Sequence, residues 1–223
     1  MLYLVPTPIG NRGDMTPRGI EVLSKCDLIL AEDTRVSRPF LKFLGIDKPV
    51  QSFHSNNEHK VTDQIIEKLK SGQTIGMVTD AGTPGISDPA FLLVRACRKE
   101  HIEVIALPGA TAFVPALVAS GLPCEKFFFQ GFLPPKKGRH TQLLWLTELP
   151  CTLILYESPH RLIKGVEELN TYFGSERLCC ASKEISKLFE AHYYGTLGEV
   201  LTTLKALPKI LGEWVICIEG KPH

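Results

Sequence analysis

The sequence predicts an α/β protein of two α/β domains. Short apolar runs alternate with stretches of helical spacing, and each run breaks into a loop of Pro, Gly and small polar residues. The pattern resets near Ser120-Gly121-Leu122-Pro123, which places the boundary between residues 1–120 and 121–223. A chain of 223 residues is long enough for two compact domains, each with its own core. Parallel sheets carry their ligands in the loops at the carboxyl ends of the strands, so those loops are the candidate site.

Met1 to Thr7 reads as a first strand that ends in the tight loop Pro6-Thr7-Pro8-Ile9-Gly10-Asn11. The loop has neither the G-x-G-x-x-G spacing of a dinucleotide site nor the Lys-Ser/Thr of a phosphate-binding loop, so neither ligand is supported. Thr16-Pro17 opens a helix as cap and first turn, with Ile20, Val22 and Leu23 inward and Cys26 at its end. Leu28–Ala31 is a second strand, and it runs into Glu32-Asp33-Thr34-Arg35. Three charges there suit either the positive end of a helix or contacts to a substrate. A helix from Ser37 to Leu44 stops at Gly45, Val50–His54 is a third strand, and Val61–Lys70 is a helix that ends at Gly72.

The densest signal is Val78 to Pro89, V-T-D-A-G-T-P-G-I-S-D-P, directly after the β-branched run Thr74 to Val78. A buried strand that breaks into two glycines, two prolines and two carboxylates exposes backbone amides at the sheet edge, although the same residues serve plain turns. A helix Ala90–Glu100 and a strand Val104–Leu107 follow, and Pro108-Gly109-Ala110-Thr111-Ala112 leads into another helix. Beyond the boundary, Phe127–Phe132 is a strand and Gly138–Thr147 a helix. Thr152–Tyr156 is a strand ending in Glu157-Ser158-Pro159-His160-Arg161, which sets an acid, a histidine and an arginine at one strand end. Arg177–Ser182 leads to Lys183-Glu184, and Gly212–Ile218 is the last strand, apolar enough for burial on both faces.

Apolar content of 44% and charged content of 22% are those of an ordinary soluble protein. The net charge of +1 gives no electrostatic case for nucleic acid by itself. Lys136-Lys137-Gly138-Arg139-His140 is the densest basic segment, either a solvated loop or a phosphate contact. Seven cysteines without C-x-x-C spacing read as reduced core residues, and no metal is expected. The absence of a long apolar run and of a signal peptide predicts a cytoplasmic protein without a membrane span.

Five segments together closely resemble one family, in order and over nearly the whole chain. They are Leu4–Asn11, Ala31–Arg35, Asp80–Pro89, Leu107–Gly109 and Tyr156–Arg161. They resemble the branch of the tetrapyrrole methylase superfamily that methylates 2′-hydroxyls of small-subunit ribosomal RNA. The resemblance implies an S-adenosylmethionine-dependent enzyme acting on a cytidine ribose, two α/β domains with an interdomain cofactor cleft, and a homodimer. It assigns cofactor contacts to Pro8, Asp80, Ala81, Gly82, Ile86, Thr111, Ala112, Tyr156 and Ala181. Two departures stand out: Arg12 replaces an apolar residue of the first loop, and many members continue with a C-terminal helical segment where this sequence ends at His223.

A ribose hydroxyl is a weak nucleophile, so a nearby group that accepts its proton assists attack on the methyl carbon. Glu157, His160, Lys183 and Glu184 are the candidates. Arg35, Arg161 and Lys183 are candidates to hold RNA phosphates, while Asn11, His54 and Asn57, with Asp33, are candidates to bond sugar or base. Each has a structural alternative, a helix cap or a buried hydrogen bond. Two other functions share this pattern: a methyltransferase for a tetrapyrrole or small metabolite, and a cofactor-binding protein without catalysis.

Overall fold

Leu28–Ala31 and Ile75–Val78 bury every residue, so neither can be the edge strand of a sheet with one wet face. In the computed structural model, which describes residues 1–221, both are interior strands of a parallel sheet. Its strands are β1 (Leu2–Leu4), β2 (Leu28–Ala31), β3 (Val50–Ser52), β4 (Ile75–Val78) and β5 (Val104–Ala106), in the order β3-β2-β4-β1-β5. The intervening helices are α1 (Pro17–Lys25), α2 (Thr34–Phe43), α3 (Glu58–Lys70) and α4 (Phe91–Lys99). The period of two sorts the strand residues between two cores. Leu28 and Leu30 join Ile65 and Leu93 of α3 and α4, while Ile29 and Ala31 join Leu23 and Leu41 of α1 and α2.

Because α1 follows β1 on one face and α4 follows β4 on the other, the chain leaves these two neighbouring strands in opposite directions. That is the topological switch point, where an open sheet leaves a crevice at its carboxyl edge. The caps agree with the sequence: Thr16 Oγ1 accepts the Gly19 amide at 3.0 Å, with Pro17 in the first turn. Helix α2 starts at Thr34, earlier than Ser37, because Asp33 caps it by accepting the Arg35 amide at 2.8 Å.

The second sheet is mixed. Its strands are β6 (Phe127–Phe132), β7 (Thr152–Glu157), β8 (Leu178–Lys183), β9 (Ala191–Thr196) and β10 (Trp214–Ile218), in the order β6-β7-β10-β8-β9. Only β6 and β7 run parallel. All of β10 is buried, as expected for a strand inserted last into the middle of a sheet. Helices α5 (Phe113–Ala119), α6 (Arg139–Thr147), α7 (Leu162–Phe173) and α8 (Leu197–Ala206) complete this unit. The chain divides after Thr111, before α5, rather than after it at Ser120. The reason is packing: α5 lies against β7 and β10 and buries Ala116 and Leu117 there.

Five of the seven cysteines are buried and all are free. Burial pushes the Cys179 and Cys217 thiols up to about 12, far from a reactive thiolate. Among the described residues, no helix is long and apolar enough to cross a membrane.

Candidate active site

The loop that follows β4 is fastened to the loop that follows β1. Thr7 and Gly82 exchange backbone hydrogen bonds of 2.9 and 3.0 Å, and Thr7 Oγ1 donates to the Thr79 carbonyl at 3.0 Å. Thr83 Oγ1 donates to the Ala110 carbonyl at 2.9 Å, which ties in the loop beyond β5. Gly82 has φ +91°, and a Cβ there would sit 3.5 Å from Ile9 and 3.7 Å from the Ala110 carbonyl. An L side chain is strained in that conformation, and Gly82 is buried with its amide and carbonyl both bonded to Thr7, so glycine is what lets the two loops lie together.

Carboxylates crowd this edge. Glu32 accepts from Thr79 Oγ1 at 2.6 Å, and Asp80 accepts the Asp33 amide at 3.1 Å. Burial and the nearby Glu32 push Asp88 up to about 6 although Thr79 hydrogen-bonds it, and burial also raises Asp80. Asp33 is ion-paired: the side chain and amide of Arg35 hold it down at about 2. The guanidinium of Arg12 lies 4.2 Å from the centre of the Phe43 ring, which accounts for the unusual arginine in the first loop.

In the second unit the carboxyl ends of β6, β7 and β8 share an edge with the start of β10. One rung runs Glu157, Trp214, Lys183, Ala191 across β7, β10, β8 and β9. Glu157 is 5% exposed; its Oε1 accepts the Ser158 amide at 2.9 Å and bonds Arg161 at 3.0 and 3.1 Å. Gly165, inside α7, leaves room for this carboxylate, since a Cβ there would come within 3.1 Å of Oε2. Glu184 accepts Lys187 Nζ at 3.0 Å and the Glu213 amide at 2.9 Å. Burial raises Glu184, but those two partners outweigh it and hold it below the ordinary carboxylate range.

The two acids expected as proton acceptors are therefore already engaged. Among the described residues, no hydrogen bond or ion pair holds the side chain of His160 or Lys183. Asn11 closes a turn onto the Gly13 amide at 2.9 Å. Asn57 accepts the His54 amide at 2.8 Å and donates to the Ser52 carbonyl, so its amide serves the start of α3. The His54 Nδ1 is buried without a partner, and its ring lies close enough to help depress Asp33. Pro8, Ala81, Ile86, Thr111 and Ala112 all keep exposed surface, and the last two stand at the division of the chain. Tyr156 meets Phe129 and Phe132 edge-on at 5.1 and 5.6 Å. Ala181 is fully buried in the core between β10 and β9. Thr79 and Asp88, which the sequence places in the central loop without assigning them a contact, stand at this edge with Glu32.

A parallel sheet with its switch point between β1 and β4, followed in the chain by a second, mixed sheet, defines a class. The chain belongs to the tetrapyrrole methylase family, whose model, Tetrapyrrole (Corrin/Porphyrin) Methylases, matches residues 1–201. It is 46% identical over 222 residues to a protein of Synechocystis sp. named Ribosomal RNA small subunit methyltransferase I, covering 99% of this chain and 79% of that one. Among solved structures it resembles a diphthine synthase, with TM-score 0.76 and 13% identity over 98% of this chain and 89% of that one. It also resembles a uroporphyrin-III C-methyltransferase from Thermus thermophilus complexed with S-adenyl homocysteine, with TM-score 0.63 and 16% identity over 97% and 96% of the two chains. At such identities these structures establish the fold alone.

Proposed function

We propose that this chain is an S-adenosylmethionine-dependent methyltransferase that acts on the 2′-hydroxyl of a cytidine ribose in small-subunit (16S) ribosomal RNA. The observation that carries the reading is the 46% identity to the Synechocystis Ribosomal RNA small subunit methyltransferase I along 99% of the chain. The local chemistry supports the donor. Glu32, Asp80 and Asp88 form an acidic edge, which favours a sulfonium, and Gly82 lets the loops after β1 and β4 close beside it.

When bound, S-adenosylmethionine supplies a methyl group on a positively charged sulfur that departs as a neutral thioether. Asp80, Ala81, Gly82 and Ile86, with Pro8 and Thr111, would orient the donor, and Ala112 and Tyr156 are the second unit's proposed contributions, whereas Ala181, fully buried, offers no surface for it. Holding hydroxyl and donor in line is most of the work left to the protein. Accepting the hydroxyl proton falls to His160, because Glu157 and Glu184 already bind Arg161 and Lys187 and a lysine that holds a phosphate as a cation has no lone pair to offer. Arg161, half-exposed and steadied by Glu157, suits an RNA phosphate, as does Lys183. Asp33 and Arg35 neutralise one another at the acidic edge, which leaves Arg35 a weaker phosphate ligand than the sequence suggests. We also place the protein in the cytoplasm as a homodimer, on the resemblance of its loops to that ribosomal branch.

The test uses small subunits from a strain lacking this gene, incubated with labelled S-adenosylmethionine, with uroporphyrinogen as the control acceptor. The expected outcome is one labelled cytidine ribose in the RNA and no label in the tetrapyrrole. Label in uroporphyrinogen alone would reverse the assignment.

A further inference from the structure

The loop between β8 and β9 is held more firmly than a connection in solvent requires. Glu184 and Ser186 adopt φ of +53° and +65°, a region that non-glycine residues seldom enter without compensation. The compensation is visible. Lys187 bridges Glu184 at 3.0 Å and Glu213 at 2.6 Å, and Glu190 accepts the Ser186 amide at 2.6 Å. His192 joins Glu190 at 3.0 Å and Ser182 at 2.8 Å, which ties the loop's far end to the sheet. Gly212 has no Cβ because one would collide with the Glu184 side chain.

At the tip of this braced loop stand Leu188 and Phe189, 89% and 71% exposed, the highest values among the large apolar side chains described. Neither side chain supports the fold from there, so the bracing serves their presentation. The sheet edge supplies the partner's chemistry. The connection from β6 to α6 carries Lys136 and Lys137, both exposed, and the β7 loop carries His160 and Arg161. Lys183 stands one residue before the braced turn. An exposed phenyl ring on an edge that also carries these cations matches a single-stranded polyanion with flat bases, because any unpaired base offers a face for stacking while phosphates meet the lysines. The acids of this edge, Glu184, Glu190 and Glu213, are paired with Lys187 and His192.

We propose that loop 184–190 is a preformed stacking platform on which Phe189 receives an unpaired base of the substrate RNA. This rests on the reading of the chain as a ribosomal RNA methyltransferase, and it adds an RNA-binding element distinct from the donor loop. Glu184 is then a positioning residue that shapes the platform.

The test compares wild type, Phe189→Ala and Phe189→Trp in methylation of small subunits, with donor affinity by calorimetry and oligomeric state by sedimentation. In Phe189→Ala the KM for subunits should rise about tenfold, within the range expected for a lost base–aromatic stack. Phe189→Trp should restore KM, while kcat, donor affinity and sedimentation stay unchanged in both. An unaltered KM in Phe189→Ala would overturn the proposal. So would a KM change accompanied by altered sedimentation, which would assign the loop to a second copy of the chain. If the wild type left subunits unlabelled while binding the donor, the functional reading would fail first and the platform with it.

Discussion

The two loop edges are built from opposite materials. In the first unit, Thr7, Gly82 and Thr83 join the loops through backbone and hydroxyl bonds, and Glu32, Asp80 and Asp88 have no ion pair among the described residues. In the second unit the acids are matched by long cationic side chains, Glu157 with Arg161 and Glu184 with Lys187. Lys136, Lys137 and Lys183 are left over there, with no ion pair among the described residues. The first edge is thus suited to a small cation pressed against backbone, the second to a polyanion held at a distance by side chains. Net charge of +1 hides this, because the two edges nearly cancel.

The contrast can be broken most forcefully at Glu157. Its carboxylate is buried, so Glu157→Ala strands the Ser158 amide and frees Arg161, which is 40% exposed and can reach water. A loss of about 2–4 kcal/mol in urea unfolding is expected, below the cost for a pair with both members buried. Reversing charge at the second edge, with Lys136 and Lys137 both changed to Glu, should raise KM for small subunits about tenfold and steepen its salt response less than in wild type. Donor affinity should not move; a parallel fall in donor affinity would mean that the two edges are not separate in function.

Asp88 sharpens the comparison through pH. Its folded value of about 6 lies above the ordinary 3.8, so between roughly pH 4 and 6 the folded state holds the proton that the unfolded state has lost. Stability therefore falls as pH rises through that window, and the full penalty remains above it. Asp88→Asn should flatten this slope and raise stability at pH 7.5 by roughly 1 kcal/mol, a figure discounted for the solvent that still screens a partly buried group. Melting curves at pH 4 and pH 7.5 check the sign. The smallest effect is expected at Glu184→Gln, which keeps an acceptor for the Glu213 amide. Its kcat should stay within about threefold of wild type; a fall of ~10² would make Glu184 the proton acceptor after all.

The first unit was largely legible in the sequence. Its parallel strands are continuous apolar runs, and Gly45, Gly72 and Thr16-Pro17 punctuate its helices, so type and order follow from local signals. The second unit was less so. Helix α7 carries Gly165, whose presence is explained only by the Glu157 carboxylate folded against it. Strand β9, A-H-Y-Y-G-T, is a half-exposed edge with a glycine, and α8 follows it without a loop through the Thr196 capping box. Neither has the apolar run or the break that marks the first unit. At the strand ends, residue type does not reveal which partners each side chain takes. The pairs Glu157–Arg161 and Glu184–Lys187 are i,i+4 and i,i+3 contacts across a turn, and sequence does not say which acids such turns will occupy.

Calorimetric titration of S-adenosylmethionine into the wild-type chain and into Gly82→Val tests most directly that the loops joined at Gly82 hold the donor. Saturable one-to-one binding in the wild type and none in the correctly folded variant is the predicted result. Equal affinity in the two proteins would place the donor elsewhere and contradict the account.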